Sequence, residues 1–125
     1  MVWGSEERAN THTTYDQHRP SVCCFPNDSG FVVVWESNMQ DGDAAGIFAK
    51  VFDASGRNIT GDIQVNTYTS GNQEFPDVCC LPDGSGFVVV WHSYAQDGNG
   101  YGVFAKVFNS TGGNLTGDTG KHIHQ

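Results

Sequence analysis

The sequence predicts an all-β protein built from two tandem, four-stranded antiparallel units. Three observations carry that prediction. Residue n aligns with residue n+56 without a gap, and 31 of the 53 positions from Asn10 to Asp62 are identical to their counterparts, a signature of internal duplication. Glycine is abundant (16 residues), aromatics make up 12% of the chain and long-chain helix formers are scarce, which favours strands joined by tight turns. No segment of the 125 residues sustains the 3.6-residue periodicity of an amphipathic helix, so almost no helix is expected.

Each unit divides into four predicted strands. VCCFP (22–26) is short and apolar and ends at Pro26 and the turn NDSG. FVVVWES (31–37) is β-branched and aromatic, and QDGDAAG closes it. GIFAKVFD (46–53) follows, closed by ASGRNITGD, and DIQVNTYT (62–69) is a more polar fourth strand. The second unit repeats the series with VCCLP, FVVVWHS, GVFAKVFN and a weaker fourth copy, GDTGKHIHQ. In FVVVW both alternating faces are apolar, Phe31, Val33 and Trp35 on one and Val32 and Val34 on the other. Such a strand requires cover on both sides, which a stack of like units supplies.

The shared run, V-C-C-x-P-x-x-S-G-F-V-V-V-W-x-S, then Q-D-G, then F-A-K-V-F, resembles a repeat of some fifty residues found in large microbial extracellular and cell-surface proteins. That repeat is similar to the β-propeller blades of the integrin-like FG-GAP/VCBS-type group, and the resemblance spans about residues 5–118. It implies propeller-blade-like units, completed by oligomerisation or strand exchange, because a propeller ring takes roughly four to eight blades. It implies no particular activity. Calcium-binding members carry a run like D-x-D-x-D-G, whereas this chain has only QDGDAAG and QDGNGYG.

The expected organisation is an N-terminal strand (1–13), blade-like repeat 1 (14–69) and blade-like repeat 2 (70–125). SEERANTHT (5–13) aligns with the fourth-strand sequence DIQVNTYT yet precedes the first complete unit. A surplus strand of this kind can complete a neighbour's sheet by β-augmentation, giving a closed ring or an open filament. The alternatives are pairing within its own chain, or excision of the chain from a longer array.

Adjacent strand residues face opposite ways, so Cys23 and Cys24 diverge, as do Cys79 and Cys80. The blade repeats it resembles usually carry small residues here. One arrangement bonds Cys24 to Cys79 between the units while Cys80 reaches Cys23 of a neighbouring chain, or the mirrored choice. Reduced, buried cysteines packing as small hydrophobes are a second reading, and vicinal disulfides or a metal site a third, although zinc ligands are usually spaced C-x2–4-C.

No catalytic constellation emerges: GxSxG, HExxH and phosphate-binding glycine loops are missing. His122 and His124 share a strand face in a polar tail, a solvated end more readily than a metal site. Asp41 and Asp43, with counterparts Asp97 and Asn99, are calcium-loop candidates, but they offer fewer oxygens than the six to eight or so that calcium takes. The same loops, with Tyr94 and Tyr101 beside the second, suit sugar stacking, while Trp35 and Trp91 are expected to pack between units. Asn27, Asn58, Asn109 and Asn114 head Asn-X-Ser/Thr sequons, with Asn58 and Asn114 at equivalent positions. A net charge of −8 argues against nucleic-acid binding, and no apolar run is long enough to span a membrane as a helix. MVWGSEERAN lacks the pattern of a signal peptide, whether because one was removed, because the chain is part of something longer, or because the protein is intracellular. The function expected is therefore a non-catalytic, extracellular or cell-surface structural protein that binds copies of itself, with a lectin-like glycan-binding module as rival and an enzyme third.

Overall fold

The computed structural model describes residues 8–11, 16–38, 45–66, 71–94, 100–115 and 121–123. They form eight strands: β1 (Gln17–Cys24), β2 (Gly30–Asn38), β3 (Ala45–Asp53), β4 (Ile63–Gln64), β5 (Gln73–Cys80), β6 (Gly86–Tyr94), β7 (Tyr101–Asn109) and β8 (Lys121–Ile123). No helix occurs among the described residues. The strands make two four-stranded antiparallel meanders, β1-β2-β3-β4 and β5-β6-β7-β8.

The β1–β2 and β5–β6 turns are built alike. Phe25 N–H donates to the Gly30 carbonyl and Leu81 N–H to the Gly86 carbonyl, both at 2.9 Å. Asp28 and its counterpart Gly84 supply the left-handed residue, at φ 60° and 77°. Gly30 and Gly86 are required for a different reason: a Cβ on either would sit 2.0 Å and 1.9 Å from the carbonyl oxygens of Phe52 and Phe108.

Two strands differ from the sequence reading. β1 and β5 begin well before the VCC segment, at Gln17 and Gln73, and each breaks register once, between His18 and Ser21 and between Glu74 and Asp77. Pro20 and Pro76 have no N–H for the ladder, so the strand resumes only past a bulge, in which Arg19 and Phe75 adopt φ 55° and 56°. Of the expected fourth strand over 62–69, the described residues 62–66 form a strand only at Ile63–Gln64, after which the Asn66 side chain accepts from Ile47 N–H at 2.8 Å; residues 67–69 lie outside the described residues. The last strand is displaced too. Phe48 pairs with Gln64, but its counterpart Phe104 pairs with His122, two residues beyond the equivalent position.

Residues directly opposite in a ladder share a face, so register assigns the faces. In the first sheet Cys23, Val32, Val34, Glu36 and Val51 lie on one face, and Cys24, Phe31, Val33, Trp35 and Lys50 on the other. In the second, Cys80, Phe87, Val89, Trp91 and Phe108 share a face, with Cys79, Val88, Val90 and His92 behind them. The core joins the Val32/Val34 face of the first sheet to the Phe87/Val89 face of the second, and all four of those side chains are fully buried. Phe25 lies against Phe87 across the seam, ring centroids 6.5 Å apart. Because Val32 and Val34 correspond to Val88 and Val90, equivalent units pack front to back.

The β3–β4 and β7–β8 turns provide an internal control on protonation. Asp53 Oδ1 accepts from Ser55 N–H, Ser55 Oγ–H and Arg57 N–H; Asn109 Oδ1 accepts from Thr111 and Gly113 in the same geometry. The Ser55 hydroxyl and the backbone donors hold the Asp53 carboxyl below its ordinary value of 3.8. A lowered folded value means that the turn gains from ionised Asp53 above pH 3.8 and loses that gain as pH falls through the folded pKa. The amide proton shifts of Ser55 and Arg57 are expected to titrate with a midpoint below 3.8, while those of Thr111 and Gly113 stay flat. Asp53→Asn should make the first turn as insensitive as the second.

Candidate self-association surfaces

The seam between the sheets is held covalently. Cys23 and Cys80 form a disulfide with a Cα–Cα distance of 5.7 Å. This is the mirrored member of the two expected arrangements; Cys24–Cys79, the pair first considered within one chain, does not form. The reason lies in the faces. Cys23 stands beside Val32 and Cys80 beside Phe87, the two sides of the seam, whereas Cys24 and Cys79 point away from it and are exposed thiols.

Polar groups accompany the bond. Ser21 Oγ–H donates to Asp77 Oδ1 at 2.8 Å, and the Arg19 guanidinium lies 4.3 Å from the centroid of the Phe75 ring. Glu36, almost fully buried, accepts from Phe75 N–H at 3.0 Å and pairs with His18 at 2.7 Å and Arg19 at 3.4 Å. Gln73 is buried and its Oε1 accepts from Trp91 Nε1–H at 3.1 Å. The double-cysteine motif drew attention to β1 and β5, but these polar partners carry no motif. The one signal for Glu36 is a charged residue inside an otherwise apolar run.

The outer face of the first sheet is partly covered by residues 8–11, which form no strand. Lys50 Nζ donates to the Ala9 carbonyl and to Thr11 Oγ1, both at 2.9 Å, and pairs with Asp62 at 3.2 Å. Asn10 Nδ2–H reaches Gln17 Oε1 at 3.1 Å. Trp35 is buried there, yet its Nε1–H has no hydrogen-bond partner among the described residues, unlike that of Trp91. Ala9 corresponds to Val65, which is fully buried, and beside the smaller Ala9 a hollow of about 170 Å³ remains, lined by Pro20, Val33 and Trp35 among others. Farther along this face Val22 is 58% exposed. A second hollow, about 200 Å³, is lined by Cys24, Asp28, Phe31 and Ala54. The outer face of the second sheet bears one of about 90 Å³, lined by Asp77, Val78, Cys79, Val88 and Val90.

The sugar-stacking candidates Tyr94 and Tyr101 do come together. Their rings meet edge to face at 5.1 Å, with His92 and then Phe75 continuing the aromatic strip. Tyr101 Oη–H donates to Glu74, and holding that proton raises the tyrosine pKa. Asp41, Asp43, Asp97, Asn99 and His124 lie outside the described residues, as do His12 and the side chain of His122. Among the described residues no group of three or more His, Cys, Asp or Glu could hold a metal ion. Of the sequon asparagines, Asn27, Asn58 and Asn114 are exposed, whereas the half-buried Asn109 is engaged in its turn, where Asp53 does the same work in the first unit.

Comparisons with protein-family models, curated proteins and solved structures each return no match. No helix among the described residues is long and apolar enough to cross a membrane.

The disulfide closes a loop of 57 residues between equivalent strands. By chain entropy, opening it costs roughly 4 kcal/mol of stability. Urea unfolding of Cys80→Ser is expected to show that loss against the oxidised wild type, and reductant should produce a similar drop in the wild type alone.

Proposed function

We propose that the protein is a non-catalytic structural unit that assembles head to tail with copies of itself into a propeller-like ring or a filament. One observation carries this reading: the two outer faces are the same two kinds of face that the chain buries against each other. The Val88/Val90 face of the second sheet is the repeat equivalent of the Val32/Val34 face, and the Phe31/Val33 face is the equivalent of the Phe87/Val89 face. Apolar surface left half-exposed on both ends favours burial. A second copy presents the matching geometry without any new recognition element.

Two of the cross-seam pairs also survive the exchange, whereas the Glu36–Phe75 contact does not, since His92 stands at the position of Glu36. Ser21–Asp77 becomes Asp77 against Ser21 of the next copy, and Arg19 over Phe75 becomes Phe75 under the next Arg19. Contacts of this heterologous kind propagate until rotation closes a ring, or indefinitely if it does not. A disulfide between sheets suits an oxidising, extracellular setting, and the exposed sequons at Asn27, Asn58 and Asn114 suit a glycosylated surface there. Residues 8–11 belong to a fourth-strand sequence, SEERANTHT, that is available for exchange with a neighbour.

Light scattering in oxidant-free buffer, with the Cys23–Cys80 bond retained, from dilute to concentrated protein, tests the reading. Wild type should grow with concentration, and Val88→Lys should remain monomeric while its unfolding free energy stays within about 1 kcal/mol of wild type, as expected for a surface change. A wild type that stays monomeric at every concentration would overturn it.

The aromatic strip favours a second reading, a lectin-like module. Tyr94 and Tyr101, each about half exposed, offer stacking faces beside the Glu74 carboxylate. Glycan-array binding that disappears in Tyr94→Ala and Tyr101→Ala is the outcome expected of that alternative; an array with no bound glycan would remove it.

A further inference from the structure

We propose that Cys79 of one copy and Cys24 of the next form an intermolecular disulfide, so that one covalent staple repeats at every seam of the assembly. The inference rests on the head-to-tail association proposed above and adds the atoms that lock it. Its basis is positional. Cys79 is the repeat equivalent of Cys23 and pairs with Val88 as Cys23 pairs with Val32; Cys24 is the equivalent of Cys80 and pairs with Phe31 as Cys80 pairs with Phe87. The bonded pair Cys23–Cys80 therefore occupies the same two sites, one on each facing sheet, that the free thiols occupy on the two outer faces.

The surroundings agree with that role. Each free thiol lines a hollow on its own outer face, Cys24 beside Phe31 and Cys79 beside Val88. Phe25 and Phe87, which flank the existing bond, are replaced at the next seam by Leu81 and Phe31, an apolar pair of similar bulk. Within one chain the two thiols lie on opposite outer faces, which leaves each to a second molecule.

The chemistry needs an oxidant, and a low-molecular-weight disulfide suffices. The Cys79 thiolate attacks one sulfur of the small disulfide and expels one small thiolate. The Cys24 thiolate of the neighbour then attacks the Cys79 sulfur, forming the protein disulfide and expelling the second small thiolate. The two protons lost by the cysteines end on the two small thiols, and two electrons pass from protein to reagent.

The test uses two variants, Cys24→Ser and Cys79→Ser, each retaining Cys23 and Cys80. Both sites are exposed, and unchanged far-UV circular dichroism confirms folding. After treatment with glutathione disulfide, wild type should give a ladder of covalent multiples on a non-reducing gel. An equimolar mixture of the variants should stop at the heterodimer, and peptide mass spectrometry should find the Cys24–Cys79 linkage. Monomer alone, or linkage only between like cysteines, would overturn the proposal. Light scattering of wild type in oxidant-free buffer, with the Cys23–Cys80 bond retained, separates the two ideas: growth there, with no Cys24–Cys79 linkage after oxidant, sinks the staple and leaves the association standing, whereas no growth sinks both.

Discussion

Everything in this molecule depends on the burial of an apolar sheet face against the back of its own duplicate. Each central strand is valine-rich on both sides, so each sheet has two faces to hide, and one seam hides only one face of each. A fully buried valine or phenylalanine contributes on the order of 1.5–3 kcal/mol, and Val32, Val34, Phe87 and Val89 are all fully buried at the seam. The same chemistry repeated on the outer faces, where Val88 and Val90 are half-buried and Val22 is exposed, leaves the isolated chain with surface of the kind its own core is made from.

Front-to-back packing has a consequence that back-to-back packing would lack. If like faces met, the two surfaces left over would be of one kind. Because unlike faces meet, the surfaces left over are one of each kind. The free cysteines follow the same distribution, Cys79 on one of these surfaces and Cys24 on the other. The His18–Arg19–Glu36 cluster and the buried Lys50 show how the seam and the first outer face accommodate charge. Glu36 and Lys50 are deeply buried and each is paired, Glu36 with the accessible His18 and Arg19 and Lys50 with Asp62, as the high cost of an isolated buried charge requires. Lys50 reaches its carboxylate in Asp62 and its neutral acceptors in residues 9 and 11, which ties the N-terminal segment to the sheet it covers.

Local chemistry makes a large part of this legible in the residues themselves. The 56-residue repeat, the strand–turn alternation, the two-sided apolar strands and the opposite facing of adjacent cysteines all follow from residue type and spacing. The bulges at Arg19 and Phe75 were less accessible, although Pro20 and Pro76 mark the places where a ladder cannot continue. The interruption after Gln64 was hidden because DIQVNTYT has the composition of a strand, and only the position of Asn66 beside Ile47 decides that a side chain supplies the acceptor for the Ile47 N–H. The surroundings of Tyr94 and Tyr101 were legible as aromatic content but not as a strip, since Phe75 joins it from a strand on the other side of β6.

What the sequence by itself determined is a set of relations: which residues share a face, which positions are equivalent, and that two thiols of each unit point in opposite directions. Tertiary structure alone decided the sense of the stack. Alternation with a period of two assigns residues to faces and leaves both faces of an apolar strand equally suited to the interior. The choice falls to the way the second sheet docks, and that docking selected Cys23 and Cys80 for the bond within the chain and turned Cys24 and Cys79 outward.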